Sequence, residues 1–117
     1  MHLARLSSLA LLASGVAGVV APERVGTTLG LSATGPRGIA ETRAGLGGTY
    51  AALGGWALLS PDPVAQRAVG VTWLGAAAVR LGSLLLDHPD PDWTFWAYLT
   101  AEVAFGAAAV RTSRPTA

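Results

Sequence analysis

Four apolar stretches, each about as long as a helix that crosses a bilayer, are the strongest constraint on what this chain can fold into. They run over 3–21, 41–59, 64–86 and 93–110. An α-helix rises about 1.5 Å per residue, so roughly 20 residues cover the ~30 Å of hydrocarbon in a bilayer. The intervening sequence is turn chemistry: "APER" at 21–24, "TGPRG" at 34–38, "SPDP" at 60–63 and "DHPDPD" at 87–92. Proline lacks an amide hydrogen and clashes with the turn before it, so it ends one helix, yet its fixed φ suits the first turn of the next. Asp92, just before the fourth run, has the side chain of a helix N-cap. The link at 60–63 is so short that the second and third runs must form an antiparallel hairpin.

Composition decides the environment. Hydrophobic residues make up 51% of the 117 and charged residues 13%, about half the charged share of an ordinary soluble domain. The expected fold is therefore a single all-α domain over 1–117, an integral membrane four-helix bundle of up-down topology whose first partner is the lipid bilayer. The eight basic residues are all arginine, they are scattered, and the net charge is +1. Nucleic acid as a partner is excluded on that ground, because it needs a clustered basic surface. The chain has no cysteine, which removes disulfides, thiolate chemistry and Cys-based metal sites. The first run has a rival reading as a secretory leader, with His2 and Arg5 ahead of an apolar stretch and small residues at "ASGVAG". Against it, the apolar run continues through Val19 and Val20 without a polar cleavage region. Arginine placement (Arg5, Arg67, Arg111 and Arg114 on one side, Arg24 and Arg37 on the other) favours both termini in the cytoplasm of a cell membrane.

Small residues recur at helical spacing. Gly47–Gly48 and Gly54–Gly55 are seven apart and return to nearly the same face, where another helix backbone can approach closely. That surface serves packing within the bundle or a homodimer through the glycine-rich faces. It is not a phosphate loop, since no strand precedes it and no lysine follows.

The charges inside the runs carry the functional signal, because each costs several kcal/mol at lipid depth unless paired or hydrated. Arg80 lies in the third run and Glu102 in the fourth, while Glu41 and Arg43 open the second and Asp87 closes the third. In an up-down bundle the start of the second run, the end of the third and the start of the fourth share one side. All five groups then fall in one half of the bundle. Arg80 and Asp87 share a face with Trp73 and Ser83 along it, and the arginine can lean towards that aspartate or reach across to Glu102. Phe95, Tyr98, Leu99 and Glu102 form one stripe of the fourth helix. Arg43 aligns with Gly47, Tyr50 and Gly54, and Glu41 with Gly45, Gly48, Ala52 and Gly55. Helical phase does not choose which of the two charges faces inward.

Other features carry less. "DHPDPD" gathers Asp87, His88, Asp90 and Asp92, but a polar turn between helices accounts for it equally well, and no metal is expected. Trp93, Phe95, Trp96 and Tyr98 suit an interfacial aromatic belt. "PERVGTTLGLS" at 22–32 reads as a short helix lying on the bilayer or lidding the pocket. No Ser–His–Asp set, haem motif or dinucleotide fingerprint is present, so no cofactor is expected.

"ETRAGLGGTYAALGGWALL", "VRLGSLLLDHPDP" and a late "AEVAFGA" resemble a family of small four-helix bacterial membrane proteins known as a domain of unknown function, DoxX-like in general appearance. The family pattern implies a polar set that falls here on Glu41 and Arg43, on Arg80, Ser83 and Asp87, and on Glu102. "DHP" stands where the pattern has an aspartate–glycine turn. The resemblance implies architecture and no activity.

Three functions compete. In the first, the pocket binds a lipophilic small molecule and transforms it as an isomerase, cyclase or epoxide-opening enzyme. Glu102 is then the general acid, Glu41 or Asp87 the base, and Arg80 or Arg43 the orienting cation, while Arg43, Tyr50, Trp73, Ser83, Phe95 and Tyr98 contact the substrate. In the second, the chain is a non-catalytic membrane partner or assembly factor and its ion pairs fix helix register. In the third, the carboxylates and arginines form a proton relay or transport path.

Overall fold

The computed structural model describes residues 2–112, and among these every regular element is helical. The elements are α1 (His2–Val20), α2 (Pro22–Thr28), α3 (Gly35–Thr42), a π-helical segment (Arg43–Gly48), α4 (Thr49–Leu59), α5 (Pro63–Leu86) and α6 (Trp93–Thr112). Arg114, one of the arginines that bear on orientation, lies outside the described residues.

Backbone angles stay helical at Thr42, Arg43, Gly48 and Thr49, so α3, the π segment and α4 form one rod from Gly35 to Leu59. This extends the second apolar run, expected at 41–59, towards the N-terminus. "TGPRG" starts the helix instead of merely separating two: Gly35 turns the chain at φ +72 and Pro36 occupies the first turn, where its missing amide costs nothing. Inside the rod, the Thr49 amide donates to the Ala44 carbonyl, five residues back, which is the π pattern.

The four rods pack side by side, α1 against α4 and α6, and α5 against α4 and α6. Neighbours run antiparallel. Along α1, Leu12, Gly15 and Gly18 meet Gly54, Ala51 and Gly47 in reverse order. Glycine is required there: a Cβ on Gly54 would stand 2.5 Å from the Leu12 amide nitrogen, and one on Gly47 would stand 2.6 Å from that of Val19. The faces through Gly47 and Gly54, expected to serve packing or dimerisation, are thus filled within the chain. A Cβ added at Gly45 or Gly48 would meet nothing within 4 Å. The remaining core is small: Leu11, Ala57, Ala65 and Val69, with Tyr50, Leu53 and Trp73 against it.

Two turns have caps. The Asp62 carboxylate accepts from the Val64 amide at 2.9 Å and starts α5. Asp92 accepts from the Phe95 amide at 3.0 Å and from the Thr94 hydroxyl at 2.6 Å, the N-cap geometry its position predicts. Those bonds, the Thr94 hydroxyl first, hold the Asp92 carboxyl below its ordinary range.

Among the described residues, two helices are long and apolar enough to cross a membrane, over Leu3–Val20 and Pro63–Leu86. The other two runs fall short for identifiable reasons. The second rod dilutes its apolar residues with Glu41, Arg43 and five glycines between 45 and 55, and α6 does so with Thr94, Thr100, Glu102 and Arg111.

Candidate functional site

The site begins with the approach of α5 to α6. Gly106 lets them close up, since a Cβ there would stand 2.7 Å from Leu74 Cγ. One to two turns away, Arg80 reaches from α5 to Glu102 on α6. Its Nε donates to Glu102 Oε1 at 2.8 Å and its Nη2 to Oε2 at 3.0 Å. This is the fork-to-fork geometry that only arginine provides to a carboxylate. The Glu102 side chain is 5% exposed and that of Arg80 24%. The guanidinium carbon also stands 5.6 Å from the Phe95 ring centre and 5.5 Å from that of Tyr98, within cation–π range. Phe95, Tyr98 and Glu102 lie on one stripe of α6, so a single helical face supplies both the counter-charge and the aromatic wall.

Three hollows meet at Arg80. An inner cavity of about 150 Å³ is lined by Leu11, Tyr50, Trp73, Arg80, Tyr98 and Glu102 among others. A polar vestibule of about 330 Å³ includes Thr27, Thr28, Asp90, Asp92 and Thr94. A lateral groove of about 410 Å³ includes Val79, Ser83, Asp87 and Phe95. Arg80 and Leu29 line all three. Leu29 caps the C-terminus of α2 and is followed by Gly30 at φ +75, so the short helix after α1 sits over the mouth of the site. Nothing in the periodicity of the long helices points to Leu29. The signal that finds it is the apolar minority, Val25, Leu29 and Leu31, in the otherwise polar "PERVGTTLGLS".

The residues expected at the site divide into three groups. Arg80, Glu102, Phe95, Tyr98, Tyr50 and Trp73 come together around the inner cavity or its rim. Trp73 is held there by its Nε1 donating to the Ser7 carbonyl at 3.4 Å and by ring contact with Phe105 at 5.6 Å. Ser83 and Asp87 lie along the lateral groove, with Asp87 exposed. Glu41 and Arg43 are not brought to the pair. Glu41 is exposed and accepts from Arg37 Nε at 2.6 Å, one helical turn back. Arg43 donates through Nη1 to the Val19 carbonyl at the end of α1. It satisfies one of the carbonyls that a helix C-terminus leaves open. Neither residue lines the three hollows. Among the described residues, no group of three His, Asp or Glu side chains is placed to hold a metal ion.

The arrangement can hold a neutralised arginine at the edge of an apolar hollow and offer its remaining N–H groups to a guest. A family model described as "Domain of unknown function (DUF4345)" matches residues 2–112. The chain belongs to that family. The match covers every element from α1 to α6, and so includes the Arg80–Glu102 pair, the α2 segment and the three hollows. No curated protein and no solved structure matches the chain.

Proposed function

We propose that this DUF4345 protein is a multi-pass integral membrane protein of four spans that binds a lipophilic small molecule against the Arg80–Glu102 pair. The single observation that carries the reading is a bidentate, largely buried ion pair that lines a hollow of about 150 Å³. A pair retained only to fix helix register gains nothing from an open space beside it, and burying two charges costs several kcal/mol per ion before their attraction offsets it. Aromatic side chains around the pair fit an apolar guest.

Membrane insertion is supported by where the apolar side chains point. Only 17% of the Pro63–Leu86 window is buried within the chain, whereas the central helix of a water-soluble core is buried over most of its length. Leu59, Leu85, Leu86 and Trp93 are each more than three-quarters exposed, and hydrocarbon accepts such a surface where water does not. The arginine bias favours cytoplasmic termini.

Binding has more support than acid–base turnover. Both oxygens of Glu102, the candidate acid, are engaged by Arg80, and Glu41, a candidate base, is engaged by Arg37 away from the hollows. The deciding experiment is native mass spectrometry of protein released from mild detergent, wild type beside Glu102→Gln. A discrete small molecule carried by the wild type and lost in the variant is the expected result. Bulk lipid adducts unchanged by the substitution would overturn the binding reading and leave the pair as a register device.

A further inference from the structure

The inner cavity constrains its guest in size and in charge, and we infer that the ligand is a neutral molecule that inserts a single ring or similarly compact apolar group carrying a hydrogen-bond acceptor such as a carbonyl. This rests on the binding reading above and narrows it.

Size comes first. A dry cavity of about 150 Å³ admits benzene, and the hollow here has about that volume. A fused multi-ring lipid does not fit inside it. A longer molecule can place only its compact end there, with the rest in the lateral groove that shares Arg80 and Leu29 with the cavity.

Hydrogen-bonding capacity comes second. Arg80 spends Nε and one N–H of Nη2 on Glu102, while Nη1 has no acceptor among the described residues. The hydroxyls of Tyr50 and Tyr98, which also line the cavity, have no hydrogen-bond partner among those residues either. The indole N–H of Trp73 and the hydroxyl of Thr72 are already committed, to the carbonyls of Ser7 and Ala68. The open Arg80 N–H groups can only donate, and the tyrosine hydroxyls, like that of Ser14 in the same lining, can donate or accept, so an acceptor is the one group that all of them can meet; a guest without one leaves the guanidinium unmatched.

Charge comes third. Glu102 neutralises Arg80 at the cavity wall, so a carboxylate guest finds no net positive charge there. It also meets Asp90 and Asp92 in the vestibule. An ammonium guest finds the one carboxylate of the inner cavity engaged at both oxygens. A neutral acceptor is the chemistry that remains.

The test uses the full chain in nanodiscs and four probes of one ring size: acetophenone, benzoate, benzylamine and toluene. Saturation-transfer NMR reports binding, with Ala76→Leu, which fills the cavity wall, as the baseline for partition into lipid. Acetophenone should bind above that baseline and about tenfold more tightly than toluene, the value of one hydrogen bond to a charged or well-placed donor. Tyr50→Phe or Tyr98→Phe should narrow that preference, read as the ratio of acetophenone to toluene affinity within each variant. Toluene binding as well as acetophenone would overturn the donor argument, and benzoate or benzylamine binding most tightly would overturn the charge argument. If no probe exceeds the Ala76→Leu baseline while the mass-spectrometric experiment still finds a Glu102-dependent guest, the size inference fails and the binding reading stands. If both experiments are blank, both fail.

Discussion

Replacing Arg80 and Glu102 singly and together separates the stability of the pair from its use. Arg80→Met leaves a carboxylate whose side chain is 5% exposed without a counter-charge. Breaking a buried pair in this way costs about 3–5 kcal/mol. Glu102→Leu leaves the guanidinium, which at 24% exposure reaches the vestibule and recovers part of its hydration, so about 2–3 kcal/mol is expected. The double variant removes both desolvation costs and substitutes apolar side chains of similar volume. It should lie within about 1 kcal/mol of wild type, far above the sum of the two single losses. Unfolding by SDS titration in mixed micelles, followed by circular dichroism, gives the four corners of the cycle. The same double variant should lose the small molecule sought by native mass spectrometry. A double variant as unstable as Arg80→Met would refute the reasoning, because the pair would then supply net stability that apolar packing cannot replace.

Three further outcomes follow from local geometry. Gly54→Val should destabilise by about 1–3 kcal/mol, since its Cβ meets the Leu12 backbone at 2.5 Å, whereas Gly75→Ala, with nothing within 4 Å, should stabilise by about 0.5–1 kcal/mol; thermal unfolding in detergent distinguishes them. The Asp92 carboxyl is held below its ordinary range by Thr94 and the Phe95 amide, so its contribution is fully present above the unfolded-state value near pH 4. That contribution is lost as pH falls through the lower folded-state value, and melting temperatures of wild type and Asp92→Asn should converge on acidification. Arg43→Gln should lower hydrogen-exchange protection in the last turn of α1, whose Val19 carbonyl it serves, and leave ligand binding unchanged; a loss of binding would return Arg43 to the site.

Much of the site was legible because it depends on features that one helix reports by itself. Arg80 and Glu102 stand out as charges inside apolar runs, and Phe95, Tyr98 and Glu102 share a stripe under any regular helical count. Asp92 announces its cap by position. What was not legible depends on partner choice or on irregularity. The sequence offers Glu41 several cations, and the one it uses, Arg37, becomes available only because the rod begins at Gly35 and puts the two a turn apart. Arg43 goes to the end of α1 because the glycine contacts bring that end close, a tertiary fact. Leu29 matters through the path of a non-repeating connection, which no periodicity encodes.

The π segment between Arg43 and Gly48 has its own consequence. A π turn holds one residue more than the α-helix it interrupts, so it behaves as a single-residue insertion absorbed without breaking the rod. Excising one residue from Arg43–Gly48 would restore a regular α-helix and leave the faces on either side nearly where they are, because the π turn already takes up the angle that the extra residue adds. A residue removed from the regular helix between Thr49 and Leu59 has no such slack: it would turn everything before it by about 100° and swing Arg43 off the end of α1. A change of one residue in length is therefore tolerated at 43–48 in a way that it is not elsewhere in the rod, because only there is the facing of the two halves uncoupled from the residue count.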